Sequence, residues 1–164
     1  MRLLHYSSKP FVPFGSERRY PQNMARDGTG KPQGLWLSVE GEDDWAHWCA
    51  SEMPEWVSGR VVTEIVLKPD HGVLCISNLE QFDKFCEDYK YDDCDAYSFN
   101  QIDWPVLSKR HAGIIIAPYR WERRLERKSR WYYGWDCASG CIWDLNVIEE
   151  CKEAGVHEAL VQDR

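Results

Sequence analysis

Short apolar runs broken by turn residues dominate the chain, and long amphipathic stretches are few. The first run predicts a strand at residues 2–7, and Gly34 to Val39 predicts a second. Between them, residues 9–33 carry prolines at 10, 13, 21 and 32 and turn pairs such as Asp27-Gly28 and Gly30-Lys31, a composition that rules out a regular helix. A loop this long in a compact domain is commonly functional.

Glu42-Asp43-Asp44 loads the start of a helix at about residues 42–52, which sets Trp45, Trp48 and Cys49 on one face. Val61 to Leu67 is β-branched and alternates poorly, the pattern of a strand buried on both faces. After the Pro69-Asp70-His71-Gly72 turn comes a short strand at 73–76. Residues 78–90 then form an amphipathic helix, with Asn78 as its cap and Leu79, Phe82, Phe85 and Cys86 inward. The acidic residues 91–95 read as a solvated loop, and Trp104 to Leu107 leads toward Gly113 to Tyr119, the clearest buried strand. Arg120 to Arg130 is strongly basic and fits a short helix or a mobile loop with a solvated face. Strands are expected at 131–135 and 139–145, and a closing helix or strand from Glu149 onward. Short strands with a few intervening helices give an α+β domain spanning residues 1–164.

Composition adds one unusual feature. Nine Trp, eight Tyr and five Phe mean a heavily aromatic core, an aromatic-lined pocket, or both. A net charge of −7 argues against a general nucleic-acid coat protein, which needs a basic excess. Seven cysteines form an odd set with no apolar leader ahead of them. The expected setting is therefore a reducing cytoplasm with free thiols. Cys137 and Cys141 lack a second Cys/His pair at zinc-finger spacing. No run approaches the about 18 apolar residues of a membrane helix, so no membrane partner is expected.

Three segments carry candidate chemistry. Leu3-Leu4-His5-Tyr6-Ser7 places a histidine at a strand tip, Gly34-Leu35-Trp36-Leu37-Ser38 places a large aromatic on the next strand, and Asp136 stands just ahead of a late strand. Cleaving the nicotinamide–ribose bond of NAD develops positive charge on the ribose, so a carboxylate must approach it, as in glycosidases. A histidine can bond a ribose hydroxyl and an aromatic can stack on the nicotinamide.

In that order these segments resemble the strand motifs of the ADP-ribosyltransferase superfamily. The first resembles its histidine-bearing first strand. The second is similar to its glycine, aliphatic, aromatic, aliphatic, small motif, with Trp36 where the histidine–tyrosine–glutamate branch has tyrosine. Asp136 stands where the family has its catalytic acid, usually Glu, and Asp144 is the fallback. The resemblance implies a split, twisted mixed sheet with flanking helices. It also implies a transferase that uses NAD as substrate, cleaves it and passes ADP-ribose to a macromolecular acceptor. Asp136 and His5 are then catalytic. His5, Tyr6, Ser7, Trp36 and Ser38 bind the nucleotide, and Arg18 and Arg19 in the long loop pair with its pyrophosphate.

The acceptor is unidentified, with protein favoured over nucleic acid. The basic segment from Arg120 offers a docking surface for it. Toxin, anti-defence factor and housekeeping modifier all stay open as roles. The competing reading is a non-catalytic, aromatic-rich module that binds and inhibits a protein partner. Hydrolase and phosphate-loop readings fail for want of Gly-x-Ser-x-Gly and of the full pattern around Gly28-Thr29-Gly30-Lys31.

Overall fold

The structure, a computed structural model, describes residues 1–12, 18–23, 30–91 and 102–158. Arg26, the Asp27-Gly28 turn, the acidic run after Tyr91 and the last six residues lie outside the described residues.

Among the described residues seven strands build one continuous mixed sheet, not the split one that the resemblance implies: β1 (Leu3–Ser7), β2 (Leu35–Val39), β3 (Val61–Leu67), β4 (Leu74–Ile76), β5 (Gly113–Ile116), β6 (Ser139–Ile142) and β7 (Ile148–Val156). Their spatial order is β4-β5-β6-β2-β1-β3-β7, and every neighbouring pair is antiparallel except β4 and β5. The ladder is continuous across all seven strands. Helices are few and short: α1 (Trp45–Glu52), α2 (Pro54–Val57), α3 (Leu79–Asp88) and α4 (Trp104–Ser108). The chain is thus of α+β class.

Local sequence explains the element ends. Asp44 accepts from the His47 backbone N–H, so α1 begins at Trp45 and the acidic residues precede its first turn rather than filling it. Asn78 caps α3 as its sequence predicts, accepting from Gln81 N–H, and Phe82 and Phe85 face the core. Asp103 caps α4 and Pro105 sits in its first turn, where the missing donor costs nothing. β5 is buried along its whole length, as the run of three isoleucines predicts, and lies one strand in from the β4 edge.

Three expectations are corrected. Residues 131–135 are not a strand but the end of 3₁₀ turns over Arg127–Trp135. The reason is spacing: Trp131, Tyr132 and Trp135 are all buried, and i, i+1, i+4 is not the period of a strand. The strand expected at 139–145 stops at Ile142, because the N–H groups of Trp143 and Asp144 both turn to the Ala112 carbonyl. β3 is not buried along its whole length: Val62, Thr63 and Ile65 are buried, and Val61, Glu64, Val66 and Leu67 only partly so. The basic segment forms 3₁₀ turns, and Arg120 within it is buried, donating to the Ser77 carbonyl at 2.6 Å.

The aromatic residues divide between core and surface. Phe82, Phe85, Trp104, Trp131, Tyr132 and Trp143 form a contiguous set, with Phe82 stacked on Trp131 at 5.7 Å and Trp104 edge-on to Trp131 at 5.6 Å. Trp104 is fully buried and donates from Nε1 to the Gly30 carbonyl at 3.0 Å, which ties the end of the long loop to the core. The outer strand β7 is mostly exposed and carries Glu149, Glu150, Lys152 and Glu153. These charges discourage pairing at an open sheet edge. Among the described residues no helix is long and apolar enough to cross a membrane.

Candidate functional site

β6, β2 and β1 are adjacent in the sheet, and this adjacency draws residues 130 positions apart toward one cavity. The cavity has a volume of about 270 Å³. Its lining includes His5 and Tyr6 of β1, Trp36 and Ser38 of β2, and Asp136 in the turn that enters β6. Tyr6, Trp36 and Ser38 share the face on which α1 lies, and His5 alternates to the face of Thr63 and Phe11.

His5 is fixed by its backbone neighbour. Its Nδ1 lies 2.9 Å from the carbonyl of Trp36, and a carbonyl only accepts, so Nδ1 carries the proton. The neutral ring then presents Nε2 as an acceptor. Burial disfavours the imidazolium and lowers the pKa of His5, against a smaller opposing effect of the Trp36 carbonyl. Phe11 packs edge-on against the ring at 5.3 Å and limits its rotation. Tyr6 is pushed up to about 12, first by burial and then by Asp44 and Glu40, so it is a neutral phenol at physiological pH.

Trp36 stands edge-to-face with Trp135 at 4.9 Å, and the Lys31 ammonium lies 5.2 Å from the Trp36 ring centre. Ser38 is buried. Its hydroxyl accepts from the Trp45 N–H at 2.9 Å, so it holds the chain where β2 turns into α1.

Asp136 is the backbone outlier. Its φ of 62° and ψ of −31° make it the one described non-glycine residue with positive φ, and the Cys137 N–H donates to the Trp135 carbonyl across it at 2.7 Å. That is a three-residue γ-turn of the rare, strained hand. Strain of this kind costs about 1–3 kcal/mol and persists where the surroundings hold it in place, often at functional sites. Here the next residues are held: Ala138 N–H donates to the Asp43 carbonyl at 2.7 Å, and Val39 N–H donates to the Ala138 carbonyl at 2.9 Å. The Asp136 carboxylate accepts from Arg124 Nη2 at 3.4 Å.

The remaining expected site residues lie elsewhere. The Ser7 hydroxyl donates to the Lys9 carbonyl, and Ser7 does not line the cavity. Arg18 and Arg19 sit at the opposite end of β6, where Arg18 accepts from the Leu145 N–H and Arg19 pairs with Asp144. Asp144 also accepts from the Asn146 N–H, and these partners hold its carboxylate below the usual range despite some burial. It lies away from the cavity that Asp136 lines.

Sequence reasoning overlooked Lys31, Trp45, Trp56 and Trp135 as cavity residues. Trp45 stacks on Trp48 at 5.0 Å, and Trp56 leans on both at about 6 Å. The signal for Trp45 was present, since three tryptophans within twelve residues exceed what one short helix can bury. Lys31 and Trp135 carried none, because only the tertiary fold brings them to β2. A second cavity of about 360 Å³ lies beyond Asp136, lined by acidic residues of the Glu42–Asp44 turn, by Trp48 and Trp121, and by Arg124. No protein-family model, no curated protein and no solved structure matches this chain.

Proposed function

We propose that this protein cleaves the nicotinamide–ribose bond of NAD and transfers ADP-ribose to a macromolecular acceptor, on an ADP-ribosyltransferase-like fold. The observation that carries this reading is that His5 and Tyr6 of β1, Trp36 of β2 and Asp136, from the turn that enters β6, line one aromatic-walled cavity. Its volume is just below the roughly 300–1,000 Å³ of pockets that enclose drug-sized ligands, which fits one end of a dinucleotide.

In this reading the cationic pyridinium ring enters among Trp36, Trp45, Trp56 and Trp135, whose ring faces attract positive charge. His5 holds the Trp36 carbonyl and with it the aromatic wall. The bond between ribose C1′ and the nicotinamide nitrogen breaks, and its electron pair leaves with the ring. The Asp136 carboxylate stabilises the positive charge left on the ribose, and the acceptor then attacks C1′ and loses its proton. A protein acceptor is favoured over nucleic acid by the acidic second cavity on the far side of Asp136, which repels a phosphate backbone.

A second reading, a non-catalytic module that binds and inhibits a protein partner, draws on the exposed rims. Trp56 and Trp121 are 46% and 54% exposed, as interface anchors often are. Incubation of the protein with NAD, following nicotinamide release, separates the two. Release that Asp136→Asn abolishes and His5→Gln lowers, with each variant folded, supports the enzyme. No release with a lysate supplying acceptors, and no quenching of Trp fluorescence by NAD, leaves the binding module.

A further inference from the structure

Asp136 forms a wall common to both cavities, while Arg124 lines only the second. The guanidinium therefore reaches the carboxylate from the side away from the nucleotide cavity, and it ties one oxygen, Oδ1, at 3.4 Å. Arg124 is itself held. Its guanidinium lies 5.8 Å from the Trp121 ring centre and 5.2 Å from the Tyr133 ring centre, two cation–π contacts that help to hold it. Trp121 is anchored in turn, since its Nε1 donates to Asp43 Oδ1 at 3.1 Å and its ring packs edge-on against Tyr119 at 4.7 Å. The Asp43 carbonyl accepts from Ala138, two residues past Asp136. The circuit closes: Asp43 holds Trp121, Trp121 carries Arg124, Arg124 holds the Asp136 side chain, and Asp43 fixes the backbone just beyond it.

We propose that Arg124 is a positioning residue, which orients the Asp136 carboxylate toward the ribose without touching the nucleotide. The inference rests on the ADP-ribosyl transfer reading above. A strained γ-turn fixes the Asp136 backbone but not χ1 and χ2 of its side chain, and Arg124 is the described side chain that hydrogen-bonds the carboxylate. A carboxylate free to rotate loses the geometry that stabilises a developing cation, and misplacement of about 1 Å can cost roughly a hundredfold in rate.

The test compares nicotinamide release by the wild type, Arg124→Gln, Arg124→Lys and Arg124→Ala. Arg123→Gln, which breaks the neighbouring pair with Asp83, serves as a control outside the site. Expected for Arg124→Gln is a fall in kcat of about ten- to a hundredfold with KM for NAD, and the NAD dependence of Trp quenching, changed less than about twofold. Arg124→Lys keeps the charge but not the planar, forked donor and lies between. Millimolar guanidinium added to Arg124→Ala restores part of its kcat and does nothing for Arg123→Gln. A purely structural role would move quenching and thermal stability together with kcat and would show no rescue. That outcome, or full activity in Arg124→Gln, overturns the inference and leaves the transferase reading standing. No release by the wild type overturns both.

Discussion

His5 Nδ1 donates to the Trp36 carbonyl at 2.9 Å, so the side chain of β1 and the backbone of β2 set each other at the cavity wall. This bond selects the tautomer as well as the position. Gln is the informative replacement, because its amide can donate to the carbonyl and offer an acceptor but lacks the rigid ring. Nicotinamide release is expected to fall about tenfold in His5→Gln and about a hundredfold in His5→Ala, the value of one to two hydrogen bonds. Equal rates in wild type and His5→Ala would remove His5 from the site.

The pH dependence of stability follows from two histidines shifted in opposite directions. In the unfolded chain both take up a proton near pH 6.5. Folded His5 resists protonation because it is buried, so its contribution is present above pH 6.5 and is lost as the pH falls below that value toward its lower folded pKa. His47 beside Asp44 is raised, first by their side-chain hydrogen bond. Its contribution is present below pH 6.5 and is lost as the pH rises through its higher folded pKa. Thermal melts across pH 5 to 8 should show His5→Gln flattening the acid side of the profile and His47→Gln the neutral side. The His47 effect is the smaller, because that ring is exposed and screened by solvent. A wild-type profile that His5→Gln leaves unchanged on the acid side refutes the assignment.

Gly140 sits in the middle of the sheet, where β6 meets β5 and β2. A Cβ there would lie 2.7 Å from both the Ile114 carbonyl and Ile115 Cγ1. Neither can withdraw, because both belong to a fully buried strand. Gly140→Ala is expected to cost about 1–3 kcal/mol, the usual penalty of overpacking, seen as a lowered Tm. Gly59→Ala, whose Cβ would meet nothing, is limited to the cost of its positive φ.

What the sequence made legible is what short-range pattern encodes. The run of isoleucines at 114–116, the cap at Asn78 and the tips of β1 and β2 each carry their own signal within a few residues. So does Asp136, by standing between a dense aromatic cluster and a small-residue strand. The failures are those of range. Residues 131–135 have strand-like composition, yet Trp131 and Tyr132 both turn inward because α3 and α4 present aromatic surface to them. Arg18 and Arg19 follow the expected loop, but β6 carries them to Asp144 at its other end. Local charge gave no sign that Lys31 would be the cation at Trp36.

Asp144 and Asp136 flank the same strand and should separate stability from activity. Asp144 caps the turn at Leu145–Val147 and pairs with Arg19, so Asp144→Ala is expected to cost about 1 kcal/mol, the value of a lost cap, and to leave nicotinamide release unchanged.

Asp136 should behave in the opposite way. Its positive φ is one that glycine adopts freely, so Asp136→Gly relieves about 1–3 kcal/mol of backbone strain. Against that stand about 0.5–1 kcal/mol of added chain entropy in the unfolded state and at most about 1 kcal/mol for the lost partly exposed pair with Arg124. The balance runs from about 1 kcal/mol of net cost to about 2.5 kcal/mol of net gain and is centred on mild stabilisation, and for a chain of this size each kcal/mol gained raises Tm by roughly 2–4 °C. Nicotinamide release should nevertheless fall by a hundredfold or more, because a preorganised charge at a developing cation supplies that much. A protein that melts no lower and no longer turns over would mark Asp136 as a residue kept in strain for its chemistry. A lower Tm with release intact would mean that the γ-turn serves the fold alone, and the carboxylate would then have to be sought elsewhere on the cavity wall.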